Sequence, residues 1–241
     1  MHSILTTPLH ATKRVEQFFT QDLLLPAANK MAFLLQFICH PKEVGAPLPC
    51  STFTSKYLVR KISEDNNPKR KILEIGAGSG PITKQILPLL REGDEFHVVE
   101  YNPKLAKIVE KIVAKSDNKH LVKVHAIAIQ EFKQRGRKFD HVVSTLPLNT
   151  FKPEVVKDFY KQLDKDLLAD KGDFSYVELM GIPTLRLIAQ KIFSIIDPEP
   201  YRRFRAITHT KNGYLHGKEV EDDIIMRNIP PIWVTHVQKS A

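Results

Sequence analysis

The sequence predicts an α/β fold: a mainly parallel, seven-stranded sheet covered by helices on both faces and closed by a C-terminal antiparallel hairpin. Three observations carry that expectation. Apolar runs of strand length alternate with stretches of helical period from residue 71 onward. The first run, Ile72-Leu73-Glu74-Ile75, passes straight into Gly76-Ala77-Gly78-Ser79-Gly80-Pro81, a strand–turn–helix junction. A second run, Phe96-His97-Val98-Val99, ends on Glu100, about twenty residues beyond the turn, where a doubly wound sheet places an acid against ribose hydroxyls.

The elements follow in order. Residues 12–40 read as helical. Residues 11–25 put Val15, Phe18, Phe19 and Leu23 near one stripe among Lys13, Arg14, Glu16 and Gln17. Pro26 interrupts the helix. Residues 27–40 are apolar on more than one face through Met31, Phe33, Leu34, Leu35, Phe37 and Ile38. Such a segment either caps the domain or lies in a bilayer interface, and both readings stand. Pro41, Gly45, Pro47 and Pro49 rule out a regular helix, so a loop leads to a helix over 51–62, with Ser51 as its N-cap. The chain divides into an N-terminal helical segment, 1–50, able to contact a membrane, and an α/β domain, 51–241.

After a polar turn at 63–68 come the glycine-bearing strand and a helix over 81–90. Asn102-Pro103 opens a helix to about residue 115, apolar at Leu105, Ile108, Val109, Ile112 and Val113. Strands are expected at 121–125 and 139–144, with the basic turn Lys133-Gln134-Arg135-Gly136-Arg137-Lys138 between them. A helix over 152–168, a strand over 174–179 and a helix over 183–196 follow. Residues 197–222 read as an inserted loop with short strands. Two strands, 224–227 and 232–237, surround Asn228-Ile229-Pro230-Pro231.

Composition narrows the function classes. The 241 residues suffice for one large domain with a sizeable core, and 26% charged residues is ordinary for a globular chain. A net charge of +9 favours an anionic partner, either nucleic acid or an acidic lipid surface. Two cysteines, Cys39 and Cys50, provide neither a disulfide framework nor a zinc quartet, and they suit a reducing cytosol. Ten histidines are scattered without metal-ligand spacing, so no metal is expected. No apolar run has the length of a membrane span, and residues 1–9 do not have the layout of a secretory signal.

The glycine turn has its own chemistry. Dinucleotide binders use G-x-G-x-x-G around a pyrophosphate, whereas Glu74-x-Gly76-x-Gly78-x-Gly80 is one residue tighter, with a carboxylate just before the turn. A carboxylate there suits an ammonium or sulfonium ligand better than a phosphate. This stretch resembles motif I of the Rossmann-like, class I S-adenosylmethionine methyltransferases, in which a terminal hairpin puts an antiparallel strand into a parallel sheet.

Four segments together resemble the bacterial phospholipid N-methyltransferases. They are Pro41-x-x-Val44-Gly45-Ala46-x-x-Pro49-x-Ser51, then Leu73 to Gly80, then Val142-Val143-Ser144-Thr145-Leu146-Pro147-Leu148, and finally Arg227-Asn228-Ile229-Pro230-Pro231-Ile232-Trp233-Val234. The resemblance implies methylation of phosphatidylethanolamine or a related amino lipid, with S-adenosyl-L-methionine as donor. It implies that Gly76, Ala77, Gly78 and Gly80 carry the methionine part and that Glu74 orients its amino group. Glu100, followed by Tyr101, would hold the ribose; Ser51 would lie close to the cofactor; Ala126 and Ile127 would flank the adenine. Many relatives carry an acid where Ile127 stands, and Gln130 is a candidate substitute for that contact.

The fourth strand bears on the acceptor. Nucleic-acid amino-methylases carry an Asn or Asp, a proline and a stacking Tyr there, whereas this chain has Thr145-Leu146-Pro147-Leu148. Leu148 has no π-face for a nucleobase, but it makes an apolar wall for an aliphatic amine. Carbonyls of Thr145 and Leu146 would orient the amine, with Tyr176 and Glu178 facing it. Lys13, Arg14, Lys30 and the run Tyr201-Arg202-Arg203-Phe204-Arg205 would meet anionic headgroups, and equally RNA phosphates. The expected location is cytoplasmic, peripherally on the inner face of the cell membrane, and oligomeric state is left open. Two alternatives remain: an RNA adenine N6-methyltransferase, and a membrane-associated protein on the same fold that no longer catalyses.

Overall fold

The structure, a computed structural model, describes residues 52–133, 136–179, 199–225 and 232–240. The helices expected over 12–40 and 183–196, the proline-rich loop with Ser51, and the Asn228-Ile229-Pro230-Pro231 turn lie outside the described residues.

Helices α1 (Thr52–Leu58) and α2 (Arg60–Glu64) lead into strand β1 (Lys71–Ile75). The short helix α3 (Thr83–Ile86) runs on into a 3₁₀ turn, Leu87–Leu89, where Pro88 permits no continued α-helical bonding. Strand β2 (Glu95–Val99), helix α4 (Pro103–Val113), strand β3 (Val122–His125) and strand β4 (Phe139–Ser144) follow. Helix α5 (Pro153–Gln162) ends in a wide turn, Leu163–Leu167, that runs directly into strand β5 (Leu168–Leu179). Helix α6 (Glu199–Leu215) and strands β6 (Glu219–Ile225) and β7 (Ile232–Gln238) complete the order.

The seven-stranded sheet has the order β3-β2-β1-β4-β5-β7-β6. The first five strands are parallel, and β7 lies antiparallel to β5 and to β6. This is the expected mainly parallel sheet with its closing hairpin. Central strands are apolar on both faces because helices cover both. Ile72, Phe96, Val98, Val143 and Val234 build one core with Ile62, Ile82 and Val109. Leu73, Ile75, Val142, Phe174 and Val237 build the other with Val156, Phe159 and Ile207.

Residues 197–222 correct the sequence reading. Most of this stretch is the 17-residue helix α6 followed by an edge strand, not a loop. Its apolar period is weak because α6 buries chiefly Ile207 and leans Tyr214 and Leu215 on α5. Edge strand β6 is rich in acids. Glu221 is paired with Arg60 and with Lys61 at 2.6 Å each, and such charge keeps an edge from templating another strand.

The end of the sheet opposite the glycine turn is clamped by a buried ion pair. Arg70 is almost fully enclosed and bonds Asp94 at 2.6 Å, the Ile62 carbonyl at 2.6 Å and the Leu89 carbonyl at 2.7 Å. Asp94 also accepts from the backbone N–H groups of Arg70 and Arg91. Burial opposes ionisation of Asp94, but these donors and the guanidinium hold its carboxyl below the usual range.

Candidate active site

Four strand ends meet at the glycine turn, and backbone bonds tie them together. The Gly76 N–H donates to the Val99 carbonyl at 2.8 Å, joining β1 to β2. The Glu100 N–H donates to the His125 carbonyl at 3.0 Å, bringing Ala126 and Ile127 beside Glu100. The Thr145 N–H donates to the Ile75 carbonyl, and its hydroxyl donates to the Gly76 carbonyl at 2.7 Å. The sequence-derived residues Gly76, Glu100, Ala126, Ile127 and Thr145 therefore share one rim.

The three glycines of the turn all have positive φ, but they do different work. An added Cβ on Gly76 would stand 2.8 Å from Leu146 Cδ2, and one on Gly80 would stand 2.7 Å from Ile112 Cδ1 on α4. Gly80 thus lets helix α4 pack against the turn. Gly78 has φ +57°, and among the described residues nothing lies within 4 Å of an added Cβ, so they leave this backbone open. The Ala77 side chain is buried in the core, which leaves its backbone alone to serve a ligand.

Two carboxyls flank the turn. Glu100 accepts from the Gly78 N–H and the Asn102 N–H at 2.8 Å each, so its side chain is held by the backbone on both oxygens. Each oxygen keeps a second lone pair for a hydroxyl. Tyr101, beside it, is 75% exposed. Glu74 is fully enclosed. Its Oε2 accepts from the Thr83 hydroxyl at 2.7 Å, while Oε1 has no hydrogen-bond partner among the described residues. Burial first, with the Glu100 charge adding to it, pushes the Glu74 carboxyl up to about 8 despite the Thr83 bonds. A buried polar atom without a partner, beside an anion and an open glycine turn, fits a cationic ligand.

The loop after β4 is bent. Pro147 has φ −77° and ψ +69°, and the Leu148 N–H donates to the Leu146 carbonyl at 2.8 Å, an inverse γ-turn. The Leu146 carbonyl therefore already accepts one bond. Leu146 and Leu148 lean on the core with Phe151 and Ile127.

Tyr176 and Glu178 both have packing partners on neighbouring elements. Tyr176 is buried, stacks on Phe174 at 5.1 Å and shares a hydrogen bond with Thr235; burial raises its phenol above the usual range. Glu178 is held by Lys211 of α6 at 2.7 and 3.0 Å. Both belong to the packing of β5 against β7 and α6. Alternation along β5 places them on one face, but sequence cannot show that α6 covers it. Ser51 lies outside the described residues, and Gln130 is exposed. Sequence reasoning missed Thr83 and the Asn102 N–H as carboxyl partners. The Asn-Pro helix start was a visible signal for Asn102, whereas Thr83 carried none.

Comparison with known proteins agrees with this geometry. Residues 73–174 match a family model described as a methyltransferase domain. An ornithine lipid N-methyltransferase from Singulisphaera acidiphila is 32% identical over 150 residues, 61% of this chain and 77% of the relative. A mitochondrial ribosomal RNA small subunit methyltransferase from Arabidopsis thaliana is 30% identical over 156 residues, 59% of this chain but 39% of the relative. The O-methyltransferase TomG from Streptomyces achromogenes, solved in complex with S-adenosylmethionine, superposes with a TM-score of 0.56 at 14% identity, covering 98% of this chain and 100% of that one. With this kinship in sequence and a seven-stranded sheet closed by an antiparallel hairpin, the chain belongs to the class I S-adenosylmethionine-dependent methyltransferases.

Proposed function

We propose that the acceptor is the primary amine of a membrane lipid headgroup, with phosphatidylethanolamine as the representative substrate. The observation that carries this reading is the apolar loop after β4. Leu148 stands where nucleic-acid amino-methylases place a stacking aromatic, and it joins Leu146, Phe151 and Ile127 as a wall. The 32% identical relative named for a lipid substrate supports it.

The cofactor supplies an already activated methyl group on a sulfonium. The chain's part is alignment and exclusion of water. Glu100 and the Gly78 backbone hold the ribose side, Glu74 serves the methionine end, and Tyr101, Ala126 and Ile127 border the adenine. An ammonium cannot attack, and alkyl amines hold their proton up to about pH 10. The apolar Leu146–Leu148 wall disfavours the charged form and so favours the neutral, nucleophilic amine. The Thr145 carbonyl and the second lone pair of the Leu146 carbonyl orient it in line with the methyl.

In this reading residues 1–50 bring the domain to an anionic membrane surface, and residues 51–241 carry the chemistry. No helix among the described residues is long and apolar enough to cross a membrane. The second reading, a ribosomal RNA substrate, draws on the 30% identical relative and on the net charge of +9. Incubation with labelled methyl donor, phosphatidylethanolamine and ornithine-lipid vesicles, and ribosomal RNA separates the two. Label in the lipid fraction is expected. Label confined to RNA would replace the first reading by the second.

A further inference from the structure

The buried and half-buried carboxyls of this protein are not equivalent. Asp94 is neutralised by the Arg70 guanidinium at 2.6 Å. Asp65 and Asp173 both bond the His141 imidazole, Asp65 at 2.8 Å. Glu74, more deeply enclosed than either partner of His141, has no cation bonded to it among the described residues. Along the sheet its register neighbours are Val98 on β2 and Val143 on β4, both buried and apolar. The helix after the turn offers Thr83, which bonds one oxygen, and Lys84 beside it is exposed. The charged group whose field reaches it is Glu100, which has the same sign. An acid so placed keeps its proton.

Glycine-turn geometry adds the second half. Glu100 is held by the Gly78 and Asn102 amides, and the described residues leave the backbone at Gly78 open. A cation over this turn would cancel the like-charge repulsion between the two carboxyls and give Glu74 the counter-charge it lacks. We infer that Glu74 is a neutral carboxylic acid in the ligand-free protein and gives up its proton when the cationic methyl donor binds, so that donor binding and proton release are one coupled event. The balance is simple. Protein with Glu74 protonated, plus a donor of net charge +1, becomes complex with Glu74 ionised, plus one proton to solvent. Once the methyl has left, the ligand has lost its sulfonium charge, and Glu74 takes a proton back as the neutral product departs. The coupling concerns the donor site and holds whichever acceptor is used.

Two measurements on the full chain test this. Titration calorimetry with S-adenosylmethionine, repeated in buffers of low and high ionisation enthalpy, counts the protons released. At about pH 7 the wild type should release close to one proton more than Glu74→Gln, whose amide copies the neutral acid without a proton to lose. The wild-type-to-variant affinity ratio should also rise roughly tenfold from about pH 6 to pH 7 and level off near pH 8. Equal proton release by wild type and variant would overturn the coupling. Infrared difference spectroscopy of the wild type alone supplies the readout if the variant fails to fold. Donor binding should remove a protonated-carboxyl carbonyl band and add a carboxylate band. A spectrum without that exchange would overturn the inference equally.

Discussion

Substituting Gly78 should separate ligand binding from stability, because the three glycines of the turn differ in what surrounds them. Each has positive φ, so any L-residue there costs about 1–2 kcal/mol of backbone strain. At Gly78 the described residues add no further cost, since none of their atoms lies within 4 Å of an added Cβ. At Gly76 and Gly80 the added carbon would sit 2.8 Å from Leu146 Cδ2 and 2.7 Å from Ile112 Cδ1. Overpacking of that kind adds about 1–3 kcal/mol. Unfolding free energy should therefore fall by about 1–2 kcal/mol for Gly78→Ala and by roughly 2–5 kcal/mol for Gly76→Ala or Gly80→Ala. Binding follows a different order. Gly78→Val sets a branched side chain in the space over the turn, and S-adenosylmethionine affinity should drop at least a hundredfold, about 2.8 kcal/mol. Gly80→Ala faces α4 instead, so whatever affinity it loses should track its loss of folded protein. The assay is urea denaturation beside calorimetric titration of each purified variant. A folded Gly78→Val protein that binds the donor with wild-type affinity would show that the ligand does not lie over this turn.

Two further outcomes concern the scaffold. Asp94→Ala leaves the Arg70 guanidinium buried without its carboxylate and should cost about 3–5 kcal/mol in urea denaturation; a loss under about 1 kcal/mol would mean that water or another group takes over. His141, on β4, bonds both Asp173 and Asp65. Burial works against its charged form, but the bonds and charges of Asp173 and Asp65 outweigh burial and raise the imidazolium above the usual histidine range. A raised histidine contributes stability that is complete below its unfolded value, about 6.5, and is lost as pH rises through the folded value. Burial also works against the Asp65 carboxylate, yet the Asn67 N–H and His141 lower its carboxyl overall, so its share is present above the unfolded value and lost as acid is added. The staple is thus strongest between the two shifted values. The stability difference between wild type and Asp65→Asn should shrink as pH rises above about 7, and a difference independent of pH would refute the charged staple. Comparing the two proteins removes the separate pH dependence of Glu74.

How much of this was legible in the chain depends on how local each feature is. The β1 turn, the acid at the end of β2 and the Asn-Pro helix start are adjacent residues whose spacing states their geometry. The alternation of strand and helix, read with the right-handed crossover preference, leaves few sheet orders open. The 197–222 stretch was misread because α6 buries so little of itself that its period is faint, and β6 is an acidic edge strand rather than an apolar one. Arg70 was invisible as a core residue because arginine is so seldom enclosed. It is enclosed here by Asp94, a carboxylate 24 positions away, and by two carbonyls from the helices on either side.

The chain's order of residues alone determined the fold class and the donor chemistry. These rest on short-range patterns of backbone freedom, burial and charge. Only the tertiary structure decided that Gly80 faces helix α4 while the described residues leave Gly78 open, and that Glu178 pairs with Lys211 of α6. It alone left Glu74 without a counter-ion among the described residues. Those outcomes turn on which side chains from distant segments arrive beside a given atom, and burial and electrostatics act on that meeting rather than on sequence spacing.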